Sequence, residues 1–290
     1  MRSSSRGIRH RGIRNRRKRT RKLLRRQRGG QTSPTFSFIS YGNEKFAQSR
    51  ERIRKEAEQM GCFNGQIKVY TPEDLSEEFK RAVGDVLNEV RGGGYMTWKP
   101  YIIMDMLSKI KENDILLYAD AGSTLRPEGI PRLKEYAEMI SPTTQKGVLV
   151  MRLVDGTTHG PDGFLEKKWT SMPIFDYFKE KIDGKIANSS QITSSFAMCR
   201  KCPESLEVIG KWLEVAKTRP DLFTDRHKEE SKKINPDFKD NRHDQSILSM
   251  IVQTAPYRNK CVIIDDEVES MHGTPQDLTK SPVHTSRIKI

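Results

Sequence analysis

Residues 115–119 (Ile-Leu-Leu-Tyr-Ala) form an apolar run that ends abruptly at Asp120-Ala121-Gly122. A run of this length, without a charged residue on either face, is typical of a strand in the middle of a parallel sheet that is covered on both sides. The acid that follows it is therefore predicted to stand at the carboxyl end of a central strand. In open α/β sheets this is the edge where ligands bind.

The segments around this run alternate between strand and helix patterns. Further strands are predicted at residues 36–41, 66–70, 147–153, 191–198 and 262–264. Helices are predicted at residues 44–60, 72–90, from Pro100 onward, 204–217 and 244–253, and a polar loop at residues 219–240. This alternation predicts an α/β fold with a mostly parallel central sheet.

Positive charge is concentrated at the start of the chain. Residues 1–30 hold fourteen of the 52 Lys and Arg and no acid, so basic and acidic residues balance over the rest. Such a segment buries too little apolar surface to offset its ordering entropy. We predict a disordered tail at residues 1–33 and one domain at residues 34–290, with a loose end at 279–290. The tail (residues 2–28) could contact a polyanion, serve as a nuclear, nucleolar or organellar address, or simply aid solubility.

Several protein classes are excluded by composition. No apolar stretch approaches the roughly 20 residues of a membrane helix, and the first 30 residues lack the apolar core of a secretory signal. Four cysteines (Cys62, Cys199, Cys202 and Cys261) are too few for a disulfide scaffold and predict thiols. We therefore expect a cytoplasmic protein, or a nuclear or nucleolar one if the tail is an address. Neither a phosphate-loop nor a dinucleotide-binding glycine motif is present.

Three positions could carry chemistry. Asp120 could hold a hard cation such as Mg²⁺ or Mn²⁺, which takes oxygen ligands, or it could cap the following turn. Asp244 lies in Arg-His-Asp-Gln-Ser (242–246) before an apolar helix; it could project into a cleft or act as a helix cap. His272, beside Gly273, could bind a metal or be an ordinary surface residue. The Cys199-x-x-Cys202 pair leaves a redox dithiol as a minor alternative, and zinc is disfavoured because a second pair is missing.

Three segments together resemble a family of enzymes. They are Gly-Tyr-Met-Thr-Trp-Lys-Pro-Tyr-Ile-Ile (94–103), Asn-Asp-Ile-Leu-Leu-Tyr-Ala-Asp-Ala-Gly (113–122) and His-Asp-Gln-Ser-Ile-Leu (243–248). In this order they resemble nucleotide-sugar glycosyltransferases of the GT-A fold found in bacteria and large DNA viruses. The resemblance runs from Phe36 to about His272 and does not include the tail.

The resemblance implies a sugar transfer from a nucleotide-diphosphate sugar to a hydroxyl acceptor such as a glycan or glycoprotein. It places Tyr41, Gly42, Trp98, Lys99, Asp120, Ala121 and Gly122 at the donor, and His243, Asp244 and Gln245 at the reacting sugar. It also implies Mn²⁺ or Mg²⁺ at Asp120, with His272 as a further ligand. The family's Asp-x-Asp motif has a second acid where this chain has Gly122. Residues 155–163 and 191–195 are expected to wall the acceptor side.

Two other functions are compatible with the sequence. The chain could be a nucleic-acid-binding or nuclease-like protein in which Asp105, Asp114, Asp120 and Asp244 hold metal, although a neutral body is unusual for a nuclease cleft. It could also be an inactive interaction module that keeps the fold, because the second acid of the motif is missing.

Overall fold

A computed structural model describes residues 33–154, 163–268 and 280–286 of the chain. Its strands are β1 (Phe36–Tyr41), β2 (Ile67–Tyr70), β3 (Ile115–Ala119), β4 (Thr124–Leu125), β5 (Val148–Arg152), β6 (Phe196–Arg200), β7 (Cys261–Asp265) and β8 (Val283–His284). Its α-helices are α1 (Ala47–Met60), α2 (Glu77–Val83), the single turn α3 (Gly92–Tyr95), α4 (Lys99–Lys109), α5 (Ile130–Met139), the single turn α6 (Glu166–Trp169), α7 (Met172–Phe178), α8 (Pro203–Thr218), α9 (Lys228–Ile234) and α10 (Asp244–Gln253).

Six of these strands form one sheet in the order β2-β1-β3-β6-β5-β7. All of them run in the same direction except β6, which pairs antiparallel with β3 on one side and with β5 on the other. The predicted α/β fold with a mostly parallel central sheet is therefore confirmed, and β3 lies inside the sheet as expected. The reversed direction of β6 was not predicted.

Helices cover both faces of the sheet, and the strands supply alternate side chains to each face. Leu116 and Tyr118 of β3 point into the cluster formed with α4, α8 and α10. Leu117 and Ala119 point into the opposite cluster, which α1 and α5 complete. An apolar side chain is thus needed at every position of β3, which explains why its sequence does not alternate with polar residues.

The reversal of β6 brings the start of that strand to the carboxyl edge of β3, where Ala119 pairs with Phe196. The residues before β6 therefore reach the loop that begins at Asp120, and the backbone N–H of Asp120 donates to the carbonyl of Ser195 at 3.1 Å. Side chains from three consecutive strands of the sheet, β1, β3 and β6, can meet at this edge.

Some predicted elements differ from those observed. The predicted helix 72–90 is broken at Gly84, whose φ of +62° ends α2 and starts a 3₁₀ helix (Gly84–Asn88). The predicted strand 191–198 begins only at Phe196. The predicted loop 219–240 contains α9 and buries Phe223 completely.

The end of the chain also differs from the expectation. Within the predicted loose end 279–290, the described residues 280–286 contain β8, which pairs antiparallel with β4, and Val283 is fully buried. Other predictions fall outside the described residues: the tail apart from Ser33, the loop 155–162, and His272. In the part of the chain that the structure describes, every helix is too short or too polar to cross a bilayer.

Candidate active site

A cleft of about 540 Å³ opens at the carboxyl ends of β1 and β3. The sequence-predicted site residues that the structure describes all line it: Tyr41, Gly42, Trp98, Lys99, Asp120, Ala121, Gly122, His243, Asp244 and Gln245. Of the predicted acceptor-side wall, Ser194 and Ser195 also line it. Five separate parts of the chain therefore meet at the edge where the apolar strand predicted a ligand site.

Lys99 is the central charge of this cleft. It is the first residue of α4, its side chain is 2% exposed, and its Nζ lies 2.5 Å from Oδ2 of Asp244 and 3.3 Å from Oδ1 of Asp120. The ammonium also donates to the carbonyl oxygen of Ser194 at 3.0 Å. A buried cation at a helix N-terminus is unfavourable by itself, so these acceptors are what allow it to stay there.

The protonation of this group follows from its surroundings. Burial opposes the charge on Lys99, but the carboxylates of Asp120 and Asp244 outweigh it and hold the pKa of Lys99 above its ordinary value. Tyr118 donates its hydroxyl to Oδ1 of Asp120, and burial together with that carboxylate raises the pKa of Tyr118 well above its usual range. At neutral pH the site therefore holds a charged lysine and a protonated tyrosine.

An aromatic pair forms one wall. The rings of Tyr41, at the end of β1, and Trp98, just before α4, are stacked with centroids 3.7 Å apart and an angle of 18°. The indole N–H of Trp98 donates to the carbonyl of Gly92 at 3.0 Å. Gly93 has a φ of +57° in this turn, a conformation that glycine adopts without strain. The glycines at 92–94 thus shape the rim beside the tryptophan.

His243 is held in one tautomer. Its Nδ1 lies 2.7 Å from the carbonyl oxygen of Phe223, so Nδ1 carries a proton and donates. Burial lowers the pKa of His243, and the positive Arg91 lowers it further. Its Nε2 is buried without a hydrogen-bond partner among the described residues. The cleft is therefore lined by a neutral imidazole whose Nε2 can accept a proton or a hydrogen bond.

The side chains present allow a metal ion only in a restricted way. Among residues 33–154, 163–268 and 280–286, no three His, Cys, Asp or Glu side chains form a metal-binding group. Asp120 is 45% exposed to the cleft, and Gly122 provides no second carboxylate. Magnesium-like ions are often held by one or two carboxylates together with substrate phosphates. Asp120 could therefore hold such an ion only together with ligands that a bound substrate brings.

Several lining or supporting residues were not predicted as site residues. Arg52 of α1 donates to the carbonyls of Ala121 and Ser123 at 2.9 and 2.8 Å, and so fixes the loop after Asp120. Arg242 lies over the ring of Trp169 at 4.3 Å, and both line the cleft. Arg242 could have been found from its place in the 242–246 motif, whereas Arg52 and Trp169 carry no local sequence signal.

The alternative sites are not assembled. Asp114 lies at the opposite end of β3 from Asp120 and accepts from the backbone N–H of Thr35 and Lys111. Asp105 faces Tyr70 and Lys109 instead of the cleft. The four acids proposed for a nuclease-like site therefore do not converge.

The cysteine pair is likewise unlike a redox site. Cys199 and Cys202 are buried free thiols, and burial raises the pKa of both. Reactive dithiols have lowered pKa values.

Comparison with known proteins gives remote likenesses. A glycosyltransferase involved in the glycosylation of the major capsid of PBCV-1 shares 11% identity, with 87% of this chain and 92% of that one covered, at a TM-score of 0.44. Mouse xyloside xylosyltransferase 1 in its apo form shares 10%, with 81% and 87% covered, also at 0.44. The galactosyltransferase LgtC, in complex with donor and acceptor sugar analogs, shares 13%, with 86% of each chain covered, at 0.40. No family model matches the chain, and no curated protein matches it.

Proposed function

We propose that the chain is a glycosyltransferase of the GT-A type that moves a sugar from a nucleotide-diphosphate donor to a hydroxyl of a glycan or glycoprotein. One observation carries the proposal. A fully buried lysine, Lys99, joins Asp120 and Asp244 on the floor of a cleft at the carboxyl edge of an α/β sheet. Burying a lysine together with one of its two carboxylates is costly, and a buried ion pair of this kind in a cleft is typical of a functional site.

The shape and lining of the cleft support a donor of this class. Its volume of about 540 Å³ lies within the range of small-molecule sites. Tyr41 and Gly42 follow β1 and would meet the nucleotide base, and Trp98 would lie beside the sugar nucleotide. Arg91, Lys99 and Arg242 supply positive charge along the lining, and Asp120, Asp240 and Asp244 supply negative charge. The near balance of charge favours a diphosphate that enters together with a cation.

The proposed cofactor is Mn²⁺ or Mg²⁺, and the proposed protein ligands are Asp120 and His272. Of these two, the structure describes only Asp120. When bound, such an ion would neutralise part of the diphosphate charge. Lys99 holds a fixed positive charge beside Asp120, which favours negative charge developing on the leaving oxygens. The ion pair with Lys99 also orients Asp244.

The reacting sugar would lie between the loop 120–122, which follows β3, and the start of α10. As the bond from its anomeric carbon to the diphosphate breaks, that carbon becomes electron-poor. The Asp244 carboxylate, 1% exposed, can stabilise this charge in an environment with little water. The buried, unprotonated Nε2 of His243 would accept the proton of an acceptor hydroxyl if the bound acceptor reaches it.

A donor screen tests the proposal. The full chain is incubated with UDP-, GDP- and CMP-sugars and Mn²⁺, and the released nucleotide is measured. We expect release from at least one donor, and a loss of about 100-fold or more in Asp120→Ala and Asp244→Ala, because each removes a charge placed at the reacting bond.

Two matched variants separate this site from the nuclease alternative. Asp105→Asn and Asp114→Asn alter carboxylates that lie away from the cleft, so nucleotide release should stay within about twofold of the wild-type value. Wild-type release no greater than that of Asp120→Ala on every donor would overturn the proposal.

We propose the cytoplasm as the site of action, with the nucleus or nucleolus as the alternative if the tail is an address.

A further inference from the structure

Glu166 is a buried acid outside the sequence-predicted site. It begins the single turn α6, it is 0% exposed, and four neutral donors surround its carboxylate. Oε1 accepts from Ser249 and from the amide of Gln253 at 2.8 Å. Oε2 accepts from the hydroxyl of Thr170 at 2.6 Å and from the amide of Gln191 at 3.2 Å. Each carboxylate oxygen accepts two hydrogen bonds, so the surroundings of Glu166 match the ionised, acceptor-only form of the group.

The carboxylate sets the orientation of Gln191. The Nε2 of this side chain is surrounded by oxygens: Glu166 Oε2, the Trp169 carbonyl at 3.2 Å, and the hydroxyls of Thr170 at 2.9 Å and Ser246 at 3.3 Å. An ionised carboxylate and a backbone carbonyl can only accept hydrogen bonds. The NH₂ group of Gln191 must therefore face them, and its carbonyl oxygen must point the other way.

That carbonyl oxygen meets the cleft residue Gln245. The Nε2 of Gln245 donates to Oε1 of Gln191 at 2.7 Å. Since Gln191 presents an acceptor, Gln245 must turn its NH₂ group toward it, which leaves the carbonyl oxygen of Gln245 for the cleft that it lines. A single chain of hydrogen bonds thus runs from a buried acid to the cleft.

We propose that Glu166 and Gln191 are positioning residues, which fix the amide of Gln245 with its oxygen toward the reacting sugar. This inference rests on the proposed function. A carbonyl oxygen carries partial negative charge and stabilises an electron-poor anomeric carbon, whereas an inverted amide would present partial positive charge. The chain of hydrogen bonds excludes the inverted arrangement as long as Glu166 is ionised.

The protonation of Glu166 gives a separate readout. Burial raises the pKa of Glu166 to about 7, although its four hydrogen bonds favour the ionised form. No charged residue lies in residues 189–195, and α10 carries only Asp244, which pairs with Lys99. On its own turn, Lys167 and Lys168 are partly exposed. Below pH 7 the protonated acid gains an O–H donor, which weakens the preference of Gln191 for its present orientation and leaves the Trp169 carbonyl as the remaining acceptor-only partner.

The test compares Glu166→Gln and Gln191→Leu with the wild type in the full chain, on the donor found by the screen. We expect kcat to fall at least about tenfold, equivalent to about 1.4 kcal/mol of transition-state stabilisation, with KM for the donor within about threefold. The kcat of the wild type should fall on the acid side with an apparent pKa near 7, and Glu166→Gln should lack that limb. Asp114→Asn also replaces a carboxylate by an amide, but at the end of β3 that lies away from the cleft. It should keep the wild-type kcat and pH profile.

A double-mutant cycle with Gln245→Ala separates positioning from a general effect on folding. If Glu166 acts through Gln245, Glu166→Gln should have no further effect on kcat in the Gln245→Ala background. Additive losses, or an unchanged kcat in Glu166→Gln, would overturn the inference while leaving the proposed function intact. A wild type that turns over no donor would overturn both.

Discussion

At the scale of single residues, the site depends on one cation shared by two acids from distant parts of the chain. The Asp244 side chain is as buried as that of Lys99, whereas Asp120 remains 45% exposed. Removing the lysine would leave a buried carboxylate without its partner, which is far more costly than removing the pair together.

Lys99→Met is therefore expected to lower the free energy of unfolding by about 3 kcal/mol or more and to abolish transfer. The double variant Lys99→Met/Asp244→Asn also removes the unpaired buried carboxylate, so it should recover stability without recovering activity. Urea denaturation and the nucleotide-release assay measure the two effects. A Lys99→Met variant as stable as the wild type would contradict the shared-cation view.

At the scale of elements, a short strand from the end of the chain supports the loop of the site. Strand β8 pairs with β4, and the hydroxyl of Ser286 donates to the carbonyl of Gly122 at 3.2 Å. Gly129, just before α5, lies directly against the chain that leads into β8. A Cβ built on Gly129 would come within 2.2 Å of the backbone nitrogen of Pro282.

Gly129→Ala is expected to push β8 away and to destabilise the protein by about 1–3 kcal/mol, as overpacking of a tight contact does. It should also weaken donor binding, since the loop at Gly122 loses a support. Gly210→Ala inside α8 is the matched control, because the new Cβ would lie 3.6 Å from the flexible methyl of Met104 on α4. It should be neutral or stabilise by up to about 1 kcal/mol. Thermal melting and calorimetry with the donor nucleotide measure both effects, and equal behaviour of the two variants would refute this role of β8.

At the scale of the whole molecule, the excess positive charge and the proposed site residues belong to different parts of the sequence. Fourteen basic residues occupy residues 1–30, while the rest of the chain has equal numbers of basic and acidic residues. Among the residues that the structure describes, those that line the cleft all follow position 40. We therefore expect the proposed reaction to proceed without the excess charge.

Deletion of residues 1–30 should leave the melting temperature and nucleotide release unchanged and should lower the salt concentration at which the protein elutes from heparin. A chain with the same tail residues in scrambled order should elute like the wild type, because counterion release depends on charge and not on sequence. A truncated protein that melts well below the full chain would show that the tail contributes to the fold.

Local sequence patterns predicted the α/β architecture and half of the residues that line the cleft. The uninterrupted apolar run at 115–119 predicted an inner strand because both of its faces are covered, and the acid after it had to lie at a sheet edge. The sequence likewise predicted a helix that starts at Asp244, because apolar residues at helical spacing follow this residue. These are local patterns, and local patterns are set by which side chains face the core.

Tertiary structure alone decided the direction of β6, the sharing of Lys99 between two acids, and the buried network around Glu166. Strand direction depends on which edge is available when the sheet assembles, and periodicity is the same for either direction. Apart from Thr170, the partners of Lys99 and of Glu166 lie more than 20 residues away along the chain, as Ser249 does from Glu166. A buried polar group is tolerated only where folding brings its partners together, and no pattern along the sequence encodes that meeting.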